Sequence, residues 1–151
     1  MRIILPIAAV VAAALIVSPS QASHKDQVVK LTGKTLAVEQ VDAGKPGPSL
    51  GDQQVLTEDV YRDGKRVGTS DIQCTIVRVQ LPKFAVQCFN TTSLPEGQIT
   101  AQGVVTSDQL EQVPFAQAVT GGTGAYKGVR GELTVDEVGD KPAEFTFALS
   151  R

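Results

Sequence analysis

The chain has 151 residues, with 14 basic and 16 acidic side chains and a formal net charge of −2 at neutral pH. This length suits one domain, and the weak acidic balance gives no electrostatic footprint for nucleic acid or for an anionic membrane surface. The single histidine, His24, lies near the N-terminus, so a Ser-His-Asp triad or a multi-histidine zinc site is nearly excluded.

The N-terminal segment has the features of a secretory signal peptide. Arg2 precedes an apolar run at 3–17, and Ser20 and Ala22 fit the small-residue pattern of a cleavage site after Ala22. The run is shorter than the roughly 20 residues of a membrane-spanning helix, which favours cleavage over the alternative, a membrane anchor. The sequence therefore predicts a cleaved leader at 1–22, a single secreted domain at 23–151, and no membrane contact by the mature form.

The mature sequence predicts one strand after another, and no window shows a convincing helical period. Short connections with turn chemistry separate the strands, as at Asp63-Gly64-Lys65 and Pro95-Glu96-Gly97. Eight short strands at hairpin spacing favour an all-β fold, either an antiparallel barrel or a sandwich. A closed barrel of this size is filled by side chains or holds one small ligand. The predicted strands are 28–40, 54–62, 67–80, 84–92, 98–106, 114–120, 131–138 and 143–150.

The chain has two cysteines, Cys74 and Cys88, and they lie on the two strands of one predicted hairpin. If Leu81 is the centre of the turn, both cysteines are equally distant from it and face each other directly. Opposed β-carbons lie about 4.5–5.5 Å apart, which approaches disulfide distance. In an exported chain the even count favours a disulfide over two free thiols. The bridge would contribute about 3 kcal/mol in the chain-entropy model.

Alternation along the first predicted strand separates its two faces. Lys30 and Lys34 share one face, which is typical of a solvated side. Glu39 shares the opposite face with Val29 and Leu31. If that face lines a barrel, Glu39 is desolvated there and becomes a candidate general acid or base. The alternative is a position at the rim, where the carboxylate reaches water.

The last predicted strand places three large apolar side chains on one face, at Phe145, Phe147 and Leu149. One interpretation is the apolar wall of a ligand pocket. The other is ordinary core, and the sequence alone favours the core.

Five glycines crowd the segment VTGGTGAYKGVRGEL at 119–133. A P-loop requires a lysine and a Ser/Thr after its last glycine, and a dinucleotide fingerprint requires a following helix. Here Val129 and Arg130 follow Gly128, and the next residues alternate like a strand. The glycines are therefore predicted to supply positive φ and a tight connection between two strands.

This segment and four others resemble the allene oxide cyclase and dirigent barrel families, and together they cover about residues 50–149. In chain order the segments are SLGDQQV, YRDGKRVGTSDIQCTIVRV, SLPEGQITAQGVV, AVTGGTGAYKGVRGEL and FTFAL. The chain is most similar to the exported bacterial branch. The resemblance implies an eight-stranded antiparallel β-barrel of calycin-like architecture, with an apolar cavity and no metal or organic cofactor. It also implies a homo-dimer or homo-trimer.

The resemblance further implies a barrel that holds a small apolar molecule in the conformation in which it reacts. The chain would be a cofactor-independent cyclase or isomerase, or a stereo-directing protein. The alternatives are a non-catalytic exported carrier of an apolar ligand and a purely structural barrel.

Family sites carry over to only a few residues of this chain. Glu39 best matches the cavity acid of the first strand. Arg130 matches a pocket arginine, although alternation groups it with Glu132 on an outer face. Cys74 aligns with a cysteine near the plant cyclase pocket, a role that a bridge to Cys88 would remove.

Overall fold

The computed structural model describes residues 26–111, 114–136 and 141–151. The predicted leader at 1–22, His24 and the end of the seventh predicted strand at Val138 lie outside the described residues. No helix in the described part of the chain has the length and apolarity needed to cross a membrane.

Eight antiparallel strands close into a barrel in which each strand pairs with its chain neighbours and β8 returns to β1. The predicted fold class is confirmed. The strands are β1 Gln27–Val41, β2 Gln53–Arg62, β3 Lys65–Gln80, β4 Lys83–Leu94, β5 Gly97–Thr106, β6 Phe115–Gly122, β7 Arg130–Asp136 and β8 Ala143–Ser150. Two short helical elements were not predicted, α1 at Ser107–Glu111 and a 3-10 turn at Gly124–Tyr126.

The β3–β4 hairpin carries the predicted disulfide, with a different turn. The turn consists of Leu81 and Pro82 rather than being centred on Leu81. A bulge at Val77 adds one residue to β3 and restores the register in which Cys74 faces Cys88. The two residues are bridged, and their Cα atoms are 4.0 Å apart. The predicted pairing is therefore confirmed, because the bulge compensates for the shifted turn.

A second bulge, in β1, reverses the face predicted for Glu39. The pairing of β1 with β2 skips Leu36, which is an extra residue in β1. Beyond the bulge Glu39 pairs with Val55 on the outer face of the barrel, and its side chain is exposed. Of the two positions that the sequence left open for Glu39, the structure shows the exposed one, because alternation counted from Val29 does not survive an inserted residue.

The packed core fills the side of the barrel formed by β5 to β8 and the first half of β1. Phe147 and Leu133 have no exposed surface, and Phe145 is 2% exposed. Phe145, Phe147 and Leu149 all belong to this cluster. The structure thus places the three side chains in ordinary core, the interpretation that the sequence favoured.

The glycine segment closes one end of the barrel against the β4–β5 turn. The amide of Ala125 donates to the carbonyl of Glu96 at 2.8 Å, and Tyr126 is buried in the core beneath. Gly97 has a φ of 142°, and a Cβ on it would overlap the carbonyl oxygen of Thr123. The glycines therefore allow two backbone segments to come into contact. This agrees with the prediction that they supply a tight connection and do not bind phosphate.

Candidate ligand cavity and interior polar residues

A cavity of about 520 Å³ opens at the other end of the barrel, which we call the mouth. It is lined by the end of β1, the following loop, the start of β2, the end of β3 and the start of β4. Cavities that hold drug-sized ligands have volumes of about 300–1,000 Å³. The mouth cavity is therefore large enough for a small organic molecule.

One wall of the mouth cavity is apolar. It is formed by Cys74, Ile76, Phe84 and Val86. Val86 is buried, and it packs with Cys88 and neighbouring side chains into a small core cluster separate from the main one. Because Cys74 is bridged, it presents a disulfide rather than a thiol to the cavity, and the role implied for a free cysteine is not available in this state.

The β1–β2 loop is tied to the cavity by Asp52. Its carboxylate accepts hydrogen bonds from the Ala43 amide at 3.0 Å, the Ser49 amide at 2.7 Å and the Ser49 hydroxyl at 2.8 Å. These donors, the Ala43 amide first, hold the pKa of the Asp52 carboxyl below its ordinary value of 3.8. Backbone hydrogen bonds of Gly51 and Asp52 to Ile76 continue the β2–β3 pairing into the loop.

Asp52→Asn is expected to loosen the loop at neutral pH and to change nothing in strong acid. Because the folded-state pKa is lowered, the stabilisation is present above about 3.8 and is lost as pH falls through the folded value. Amide hydrogen exchange of Ser49, compared between the two proteins at neutral and acidic pH, tests this. Asp42→Asn is the control, because only one oxygen of Asp42 accepts a hydrogen bond, from the Gly44 amide, and asparagine keeps it. Asp52 uses both of its oxygens, and asparagine keeps only one. If the exchange rate of the Ser49 amide differs between wild type and Asp52→Asn by the same factor at both pH values, the prediction is contradicted.

Deeper in the barrel, the inward-facing side chains become polar. Asn90 follows Cys88 on the same face of β4, about 7 Å further along the strand. Its Oδ1 accepts hydrogen bonds from the hydroxyls of Ser70 at 3.2 Å and Thr92 at 3.1 Å, and these hydroxyls are 3.1 Å apart. All three side chains are buried, so this network gives the interior a fixed polar surface.

Glu58 is the sole buried carboxylate in the described part of the chain, and it is 4% exposed. It faces inward from β2, next to Ser70 on β3. Gly33 on β1 makes room for it, because a Cβ at Gly33 would lie 2.6 Å from Oε2 of Glu58. The sequence analysis missed Glu58. Its signal was alternation within the second predicted strand, where Leu56, Glu58 and Val60 share one face.

Gln117 is a further interior polar residue, on β6, and it is 5% exposed. Its Oε1 has no hydrogen-bond partner among the residues that the structure describes. The side chain lies beside Gly103, which pairs with Cys88 on the next strand. Gln117 therefore offers a buried acceptor on the interior wall. Alternation with Phe115 and Val119 was the sequence signal for it.

Arg130 lies on the outer face of β7, as alternation with Glu132 indicates. It is exposed, and its guanidinium donates to the carbonyl of Val129 at 2.8 Å. The pocket role implied by the family resemblance is therefore wrong for this residue, because its side chain points away from the barrel interior. In the described residues, no three metal-binding side chains come together.

A closed eight-stranded barrel with a cavity at its mouth is the architecture of barrels that hold one small ligand. Within that class, the chain belongs to the family described as the allene oxide cyclase barrel-like domain, whose model matches residues 29–148. The family resemblance seen in the sequence is thereby confirmed.

Solved structures show the same barrel. A pyocyanin demethylase is 32% identical, with a TM-score of 0.74, over 82% of this chain and 99% of that one. An exo-specific intermolecular Diels-Alderase is 18% identical, with a TM-score of 0.69, over 86% and 100%. A pterocarpan synthase dirigent protein is 15% identical, with a TM-score of 0.65, over 91% and 97%. The last two share the fold alone with this chain. A comparison with curated protein sequences gave no significant match.

Proposed function

We propose that the protein is an exported barrel that binds a small, mainly apolar molecule in the mouth cavity and converts it without a cofactor. The observation that carries the proposal is the cavity itself, at about 520 Å³ with an apolar wall on one side. Such a cavity holds its occupant in one conformation, which is how confinement accelerates a ring closure or isomerisation.

The names of the similar proteins support a flat or polycyclic ligand in the mouth cavity. Pyocyanin, after which the 32% identical relative is named, is a planar tricyclic phenazine. The other two are named for a cycloaddition and for a pterocarpan, a fused ring system. Pyocyanin is therefore the first molecule to test with this chain.

Export is supported by the disulfide and by the leader that the sequence predicts. The Cys74–Cys88 bridge is of a kind that persists in oxidising compartments and is rare in the cytosol. We propose that the mature domain works outside the cytoplasm.

Binding of pyocyanin is tested by spectroscopic titration of the wild-type protein and of Val86→Trp. The indole is expected to occupy the cavity beside Phe84 and to weaken binding at least about tenfold. Val104→Trp is the control, since Val104 is 50% exposed on the outer face of β5. Circular dichroism checks that each variant is folded. The proposal fails for this ligand if the wild type does not bind it, or if both variants bind equally well.

Glu58 does not line the mouth cavity, but it is a buried carboxyl that faces the barrel interior beyond it. We propose it for proton transfer to an occupant that extends from the mouth into the barrel, where water is largely excluded. Glu58→Gln keeps the shape and removes the acid. It is expected to leave pyocyanin affinity within about twofold and to slow hydrolytic loss of the N-methyl group by roughly 100-fold. In that step the oxygen of water joins the methyl carbon, the carbon–nitrogen bond breaks, formaldehyde leaves, and two electrons and two protons remain on the ring system as the dihydrophenazine.

Glu39→Gln is the comparison for that experiment, because Glu39 lies on the outer face and is expected to have no effect. Conversion is followed by the change in the visible absorption of pyocyanin. If the wild-type protein binds pyocyanin and leaves it unchanged, the result supports the alternative function, that of a non-catalytic carrier of this ligand. If Glu39→Gln and not Glu58→Gln slows conversion, the assignment of the acid is wrong.

A further inference from the structure

The charged side chains that line the mouth cavity are of one sign. In the described part of the chain, its lining includes two carboxylates, Asp42 and Asp52, and no lysine or arginine. The remaining polar lining consists of the neutral amides of Gln40, Gln53 and Gln54.

The positions of both carboxylates are set by donors that carry no charge. Asp42 accepts a hydrogen bond from the Gly44 amide at 3.1 Å. Asp52 is held by the Ala43 amide and by the amide and hydroxyl of Ser49. Neither carboxylate belongs to an ion pair among residues 26–111, 114–136 and 141–151. Neither negative charge is therefore neutralised by direct pairing with a cation, and Lys45 of the same loop lies outside the cavity lining.

This arrangement has a consequence for the charge of the occupant. A ligand carboxylate within about 8 Å of one such group, in a half-solvated setting, is disfavoured about threefold by each. A neutral heteroaromatic molecule is not repelled, and amides donate hydrogen bonds to its acceptors as well as accepting from its donors. A cationic ring is attracted by the same field.

We propose that the mouth cavity selects neutral and cationic aromatic molecules and discriminates against those that carry a carboxylate. This inference rests on the proposed function, since it concerns the occupant of the same cavity. It excludes free fatty acids and aromatic acids as preferred ligands of this chain.

Three phenazines of matched shape test the selection: phenazine, the N-methylphenazinium cation and phenazine-1-carboxylate. Dissociation constants are measured by isothermal titration calorimetry at low and at high salt. The carboxylate is expected to bind about tenfold more weakly than phenazine at low salt, and the cation more tightly. Added salt is expected to bring the affinities of the carboxylate and of the cation closer to that of phenazine, because the mouth is open to solvent.

Variants locate the effect at the rim of the cavity. Asp42→Asn keeps the acceptor for the Gly44 amide and removes one charge, so it is expected to improve phenazine-1-carboxylate binding about threefold and to leave phenazine unchanged. Glu132→Gln makes the same change in net charge on the exposed outer face of β7, and it is expected to alter neither affinity.

The outcomes separate this inference from the proposed function. If phenazine-1-carboxylate binds as tightly as phenazine or more tightly, the selection is wrong while the cavity still stands as a binding site. The selection is also wrong if Glu132→Gln changes the carboxylate affinity as much as Asp42→Asn does. If none of the three phenazines binds, the proposed function fails for this ligand class, and the inference falls with it.

Discussion

Phe147→Ala is expected to lower the free energy of unfolding by about 3–5 kcal/mol, the usual cost of removing a fully buried aromatic side chain. Phe147 has no exposed surface and pairs with Val29 on β1 and Leu133 on β7. The surrounding sheet is closed on itself, so it cannot collapse into the space left behind. Urea unfolding followed by circular dichroism measures the loss.

Phe89→Ala is the matched control, because Phe89 is 51% exposed on the outer face of β4. Its loss is expected to cost less than about 1 kcal/mol. Folded Phe147→Ala protein is expected to bind pyocyanin as the wild type does, since Phe147 does not line the mouth cavity. A variant that stays stable but no longer binds would show instead that Phe147 is a pocket wall.

Gly131→Ala is expected to be comparably damaging, with a loss of about 3 kcal/mol or more in the free energy of unfolding. Gly131 has a φ of 140°, a region that residues with a side chain rarely adopt. A Cβ on Gly131 would also overlap the carbonyl oxygen of Ala148 on the neighbouring strand. One of the two strands would have to move, which would break the β7–β8 pairing.

Gly128→Ala separates the two costs of adding a side chain at a glycine, the overlap with a neighbouring strand and the strain of a positive φ. Gly128 also has a positive φ, 79°, but a Cβ there would meet no atom within 4 Å. Its substitution is expected to cost only about 1–2 kcal/mol, the penalty of the left-handed conformation. Thermal unfolding of both variants provides the comparison. Equal losses would mean that the close approach of β7 to β8 contributes nothing.

Most of the fold could be predicted because its signals are local. Turn residues and alternation indicate where each strand begins and ends, and all eight predicted strands are present. The 3-10 turn and α1 were not predicted, since elements of three and five residues are too short to show a helical period. The disulfide was predicted from a turn centred on Leu81, and the prediction holds because the bulge at Val77 offsets the shift of the actual turn.

The candidate site was predicted less well. The face of the sheet on which a side chain lies is found by counting residues along the strand, and a bulge shifts that count by one. The extra residue Leu36 moved Glu39 to the outside, and nothing in the alternation of β1 marked it. Glu58 had a local signal in the alternation of Leu56, Glu58 and Val60, but the space that Gly33 leaves for its side chain is visible only once β1 and β2 are paired. The acidic rim around Asp42 and Asp52 appeared only when the loop was placed against β3.

The sequence by itself determined the strands and the barrel family, because both depend on the spacing of residues along the chain. The register that joins Cys74 to Cys88 also required the bulge at Val77. Tertiary structure alone decided which side chains face the interior, where the cavity opens and which carboxylates surround it. The physical reason is that a closed sheet joins residues distant in sequence, while a single inserted residue exchanges its two faces. Glu39 lies outside because of such an exchange in β1, whereas Glu58 lies inside by the uninterrupted alternation of β2.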